Sequence, residues 1–169
     1  MTIAEVLLSD FDHEFATTRT YLERVPEDKF DYKPHEKSMA MGQLASHLAE
    51  APGWAVVTVN DDVMDFNPPD GKKWEPFIAK TKAEMLAKFD ESVAAAKQAI
   101  ASCSDEKMGG MWTMLNSGQE VMKMPRLAVL KAFVLSHNTH HRAQLGVYFR
   151  LNDIPVPMAY GPTADEGQM

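Results

Sequence analysis

Cysteine is almost missing from this chain: Cys103 stands alone among 169 residues. A single thiol excludes an internal disulfide and fits a reducing compartment. Positive charge is scarce too. Seventeen Lys and Arg face 24 Asp and Glu, giving a formal net charge of −7. With no basic patch to neutralise phosphates, nucleic acid is not an expected partner. No uninterrupted apolar run approaches the ~20 residues that span a bilayer, so no membrane association is expected. Asp10, Asp12 and Glu14 break the short apolar start, which argues against a signal peptide. Internal repeats and low-complexity tracts are absent as well. What is left is 45% hydrophobic and 24% charged, the balance of an ordinary globular chain. These limits predict one cytoplasmic domain, 1–169, with a core of its own.

Four apolar stripes at helical spacing organise the chain. The first helix is expected from about Thr2 to Arg24, with Ala4, Leu8, Phe11, Phe15, Thr18, Leu22 and Val25 on one face, ending at Pro26. The second starts near Met41, with Ser38 in its N-cap region and Leu44, His47, Leu48 and Ala51 on one side. Pro52 and Gly53 should stop or kink it before Trp54–Val57 resumes. Asn60 to Phe77 reads as irregular. The third helix follows Thr81 and carries Leu86, Phe89, Val93, Ala96 and Ile100. A short hairpin is expected between Met111 and Met124, turning at Asn116-Ser117-Gly118. Pro125 then suits the first position of a fourth helix reaching about Leu151, before a non-helical tail, 152–169. The expected class is all-α: a four-helix bundle with long crossover connections and a short hairpin before the last helix.

Histidine is where chemistry enters. His137 and His141 are four apart, so on a helix both imidazoles share one face, with Cβ atoms ~6 Å apart. That face is the apolar seam Leu130, Val134, His137, His141, Gln144 or Leu145, Tyr148 and Leu151. An unpartnered imidazole facing a core costs a few kcal/mol. A shared metal ion satisfies both rings, and so do hydrogen bonds to neighbouring helices. The spacing is that of known zinc motifs, but Asn138 stands where the general-base glutamate of H-E-x-x-H would be, which disfavours peptidase chemistry.

A histidine pair calls for a third ligand, and His47 on the second helix is the candidate. His13 is its rival, but lies off the first helix's apolar stripe; His35 is in a loop. His140 falls off the seam and belongs to the bundle's flank. Glu50, three residues after His47, reads either as an acceptor behind that ring or, more simply, as a solvated helix charge. Arg142 points away from the histidine face, as a salt bridge between elements would. Gln144, nearly in line with the pair, can lie beneath the metal as a hydrogen-bond partner. The 12 methionines, with Trp54, Trp74 and Trp112, suit an apolar pocket or simply an irregular core.

Three segments together resemble the DinB family of DinB/YfiT-like metalloenzymes. They are Ser38–Glu50; His137-Asn138-Thr139-His140-His141-Arg142-Ala143-Gln144-Leu145, similar to the family's H-x-x-x-H-R-x-Q signature; and the tail Tyr160–Asp165. Ala143 replaces the glycine usual after the arginine. The resemblance implies a bundle of antiparallel type, commonly a homodimer, with a divalent metal held by His47, His137 and His141. Zinc or nickel are the first choices and iron, manganese or copper the further ones, since imidazole ligands suit zinc, nickel, copper and iron alike. It further implies kinship with transferases that use low-molecular-weight thiols such as bacillithiol, mycothiol or glutathione. The expected function is therefore metal-dependent thiol S-transfer to a small electrophile in detoxification or stress. A metal-dependent hydrolase and a non-catalytic metal-binding module are the alternatives.

Overall fold

The computed structural model describes residues 2–71 and 73–167. Helix α1 (Ile3–Arg24) begins with a capping box. The Thr2 hydroxyl accepts from the Glu5 N–H at 3.1 Å, and the Glu5 carboxylate accepts from the Thr2 N–H at 2.8 Å. Its buried stripe runs Ala4, Leu7, Phe11, Phe15, Thr18, Tyr21 and Leu22, and Val25 turns extended ahead of Pro26.

Helix α2 (Met41–Glu50) has no side-chain cap: the N-cap is Ala40, not the expected Ser38. Backbone does the work instead. The N–H groups of Met41 and Gly42 donate to the carbonyls of Tyr32 and Phe30, each at 2.9 Å, satisfying donors a helix start leaves orphaned. A Cβ at Gly42 would sit 2.8 Å from Phe30 Cγ, so this approach requires glycine. Ala51–Gly53 forms a 3₁₀ turn around Pro52, and the chain resumes as α3 (Trp54–Asn60). The proline bends the rod without ending it.

Helix α4 (Lys82–Ala101) is capped by Thr81, whose hydroxyl accepts from the Glu84 N–H. Its buried face is Met85, Phe89, Ser92, Ala96, Ala99 and Ile100. The expected Leu86 and Val93 sit at the margin of that face, only partly buried. The shift follows from packing: α4 lies against α1, α2 and α3 together, so its covered surface is broader than one seam. A short α5 (Asp105–Gly109) follows.

The all-α expectation is corrected by a three-stranded sheet, although the chain is mostly helical. Strands β2 (Met111–Asn116) and β3 (Gln119–Pro125) form the expected hairpin, antiparallel, with Ser117 and Gly118 at φ 53° and 76°. Positive φ at both turn positions matches the twist of the flanking strands. Strand β1 (Val63–Asp65), in the stretch read as irregular, pairs in parallel with β2. Asp65 locks the two parts together: its carboxylate accepts the N–H groups of Asn67, Ser117 and Gly118. Burial pushes its pKa up, but those three donors outweigh it and hold the carboxyl below its usual range.

The last rod is not one α-helix. It starts as α6 (Arg126–Val129), widens into a π-helical segment Leu130–Ser136, and returns as α7 (His137–Arg150). Pro125 is the N-cap residue and the end of β3, not the first helical position. Arg126, buried, joins the rod to α3, α5 and the sheet: it donates to the carbonyls of Thr58, Asp61, Lys107 and Met111 and pairs with Asp62. Among the described residues, no helix is long and apolar enough to cross a membrane.

Candidate metal centre

The π-helical segment ends where the histidines begin, so His137 and His141 occupy the first turns of α7 facing α2. From α2, His47 meets them. The Nε2 atoms of His47 and His137 lie 2.8 Å apart. One ring nitrogen from each of His47, His137 and His141 falls within 4.8 Å of the others, and all three side chains are half-buried. Their ring centroids are 4.4 to 5.1 Å apart.

Two of the three rings have a polar neighbour outside the cluster. The His141 Nδ1–H donates to Gln144 Oε1 at 2.7 Å, which leaves Nε2 with its lone pair. His47 Nδ1 lies 3.6 Å from Glu50 Oε1. Glu50 is 8% exposed, so the solvated-charge reading fails. One of its oxygens accepts the Phe77 N–H at 3.0 Å, while Oε1 is buried without a hydrogen-bond partner. Trp54 packs against the rings of both His47 and His137.

Burial above all, then the neighbouring His141, His47 and His140, pushes the His137 pKa down to about 4. Burial likewise lowers that of His141 despite the opposing Gln144 hydrogen bond, with His47 and His140 adding to the decrease. Both rings are therefore neutral at pH 7, the form that binds metal. Three converging imidazoles, one with its tautomer fixed, beside a buried carboxylate oxygen without a donor form a donor set that fits a divalent cation.

The other sequence candidates lie elsewhere. His140 is exposed, its ring 4.9 Å from that of His141 but outside the cluster. His13 is exposed and sits 6.3 Å from the Tyr160 ring. Arg142 turns to the far side of α7, almost fully buried. It donates to the Glu14 carbonyl, the Glu14 carboxylate, the Thr18 hydroxyl and the Tyr160 hydroxyl at 2.8 to 3.1 Å. Thr18 in turn donates to Asn138 Oδ1 at 2.6 Å, and Asn138 Nδ2 reaches the Leu48 carbonyl. Asn138, noticed in the sequence only for not being glutamate, thus ties α1 and α2 to the histidine helix.

A cavity of about 360 Å³ adjoins the centre, with His47 in its wall. Trp54, Trp74 and Trp112 line it, with Met64 and Met114 from the sheet and Phe133 from the π-helical segment. The sequence contained these residues but no signal that they meet, because they come from four separate elements and a loop.

The family model for the DinB family matches residues 1–168. The uncharacterized protein YrdA of Bacillus subtilis is 24% identical over 164 residues, spanning 94% of this chain and 89% of its own. Among solved structures, a DinB-like protein from Bacillus cereus superposes with a TM-score of 0.71 at 17% identity, covering 94% of this chain and 98% of that one. The DinB-like protein YjoA of Bacillus subtilis gives 0.68 at 16% identity, covering 90% and 96%. Those two likenesses extend to the fold. With the family model matched over nearly its whole length, the chain belongs to the DinB family.

Proposed function

We propose that this protein is a divalent-metal-dependent thiol S-transferase, joining a low-molecular-weight thiol to a small electrophile. His47, His137 and His141 would hold the ion, zinc or nickel, both of which imidazole ligands suit. When bound, the ion supplies a Lewis-acid centre that lowers the pKa of a thiol toward neutrality. In the transfer, a sulfur–carbon bond forms, the leaving group departs with the electrons of its bond to carbon, and the thiol proton passes to solvent.

The chain's own residues prepare this. Gln144 orients the His141 ring from behind, the Glu50 carboxylate stands 3.6 Å behind the His47 ring, and Trp54 packs against His47 and His137. The single observation that carries the reading is that the half-buried imidazole cluster adjoins an apolar cavity. No carboxylate lines that cavity among the described residues, which suits a thiol nucleophile better than hydrolysis needing a general base. A non-catalytic metal-binding module has no use for the cavity. Small-molecule partners, a homodimeric state and a cytoplasmic location complete the reading.

The test is incubation of metal-loaded protein with a panel of thiols and monochlorobimane. Turnover with at least one thiol, abolished in His141→Ala, is expected. No turnover with any thiol or metal would reject the enzyme and leave the storage or sensing module.

A further inference from the structure

The chain has three tryptophans, and all three line the cavity beside the imidazoles. Trp54 reaches it from α3, Trp112 from β2, and Trp74 from the loop that follows β1. The Trp54 and Trp74 rings meet edge to face, with centroids 6.4 Å apart and planes at 80°, so they form two nearly perpendicular walls. Met64 and Met114 stand in register on β1 and β2 and add polarizable, adaptable thioethers. Phe66, Trp74 and Phe133 in the same lining are exposed. Three exposed rings around one hollow are apolar surface that folding left uncovered, as ligand grooves do.

What the lining lacks is equally specific. Among the described residues it holds no charged side chain apart from the titratable His47. Its one hydroxyl, on Thr58, donates to the Trp54 carbonyl at 2.9 Å. Trp112 gives the cavity no donor, because its Nε1 is buried. A charged ligand would therefore lose its hydration with nothing to replace it. An arene is driven out of water by the hydrophobic effect and gains edge or offset contacts with the indoles. The volume falls within the range of small-molecule sites.

We propose that this cavity binds an uncharged, largely hydrocarbon aromatic molecule, selected by the absence of charge in its walls and held by ring contact. Trp54 joins the cavity to the candidate metal centre: its ring lies 5.4 Å from that of His47 and 5.2 Å from that of His137. As the electrophile of the transfer, the ligand rests on the enzymatic reading. As a bound molecule, it stands on the lining alone.

Displacement of N-phenyl-1-naphthylamine, an uncharged probe that fluoresces in apolar surroundings, tests this on the full chain. Metal is first removed by chelation, so that no ion can hold a carboxylate. Three competitors share one ring system: 2-naphthalenemethanol, 2-naphthoate and 2-naphthylmethylammonium. The alcohol should displace the probe saturably, and both ions should bind about tenfold or more weakly. Trp74→Asp changes a residue outside every helix and strand, and should weaken alcohol binding about threefold or more. Should that variant not fold by its far-ultraviolet spectrum, Phe133→Asp, at another exposed ring, takes its place. No saturable binding of probe or alcohol, an ion that binds as tightly as the alcohol, or an affinity unmoved in the folded variant would each overturn the proposal. A tighter ammonium would do so by revealing a cation–π cage instead. Turnover is not read here, so alcohol binding without thiol transfer rejects only the enzymatic reading. Thiol transfer without alcohol binding rejects only this one.

Discussion

At the scale of single residues, Glu50 shows how a histidine centre depends on what stands behind it. Its Oε1 is desolvated and unpaired, 3.6 Å from His47 Nδ1. Partners behind a ligating imidazole typically carry a 10- to 100-fold effect on affinity. Glu50→Gln should therefore weaken zinc binding by about 10-fold or more, read by competition with a chromophoric chelator, while the far-ultraviolet spectrum stays unchanged. Unaltered affinity would remove Glu50 from the site. His137 gives a second expectation, for the metal-free chain. Its pKa lies at about 4 against an ordinary 6.5, so between those values the unfolded chain binds the extra proton. Stability should be complete above about pH 6.5 and decline as pH falls toward 4. Denaturant midpoints across that window measure it, and His137→Ala should flatten the slope. The sequence disclosed the three histidines and their common face by spacing alone. It hid the burial of Glu50, because Phe77, whose backbone N–H binds its carboxylate, is 27 positions away.

Elements were legible where their signals are local. The Thr2 capping box, Thr81 before α4 and the Ser117-Gly118 turn each place their own boundary from within a few residues. Thr81→Ala should cost about 1 kcal/mol, seen as a lower urea midpoint with an unchanged slope. Strand β1 escaped detection because three residues acquire strand geometry only by pairing with β2, some fifty positions on. The π-helical segment Leu130–Ser136 escaped for a different reason: its sequence still carries ordinary helical apolar spacing. Wide turns of this kind occur often at functional sites. Here the segment supplies Phe133 and Val134 to the cavity and ends at the first histidine of the pair.

Across the molecule, the face of α7 opposite the histidines is bolted to the rest of the chain. Arg142, Glu14, Thr18, Asn138 and Tyr160 join α1, α2, α7 and the tail through one hydrogen-bonded network. Burial raises the Glu14 pKa, but Tyr160, Arg142 and Thr139 overcome that and leave it lowered. The ion pair with Arg142 therefore contributes fully above the ordinary carboxylate pKa and is lost as pH falls through the lowered one. Arg142→Met removes the charged partner of the half-buried Glu14 carboxylate, which keeps only the Tyr160 and Thr139 hydroxyls, and should destabilise the fold by about 2 kcal/mol, measured by denaturant unfolding. The sequence suggested a clamp at Arg142, and the partners appear only once the helices and tail are assembled.

Three imidazoles from two helices converge closely enough to grip one divalent ion. X-ray absorption of untagged protein loaded with one equivalent of zinc tests it most directly. Stoichiometric binding is expected, with three imidazole nitrogens at about 2.0–2.1 Å, reduced in number in His47→Ala and in His137→Ala. Zinc that fails to bind stoichiometrically, or a coordination shell unchanged by either substitution, would contradict it.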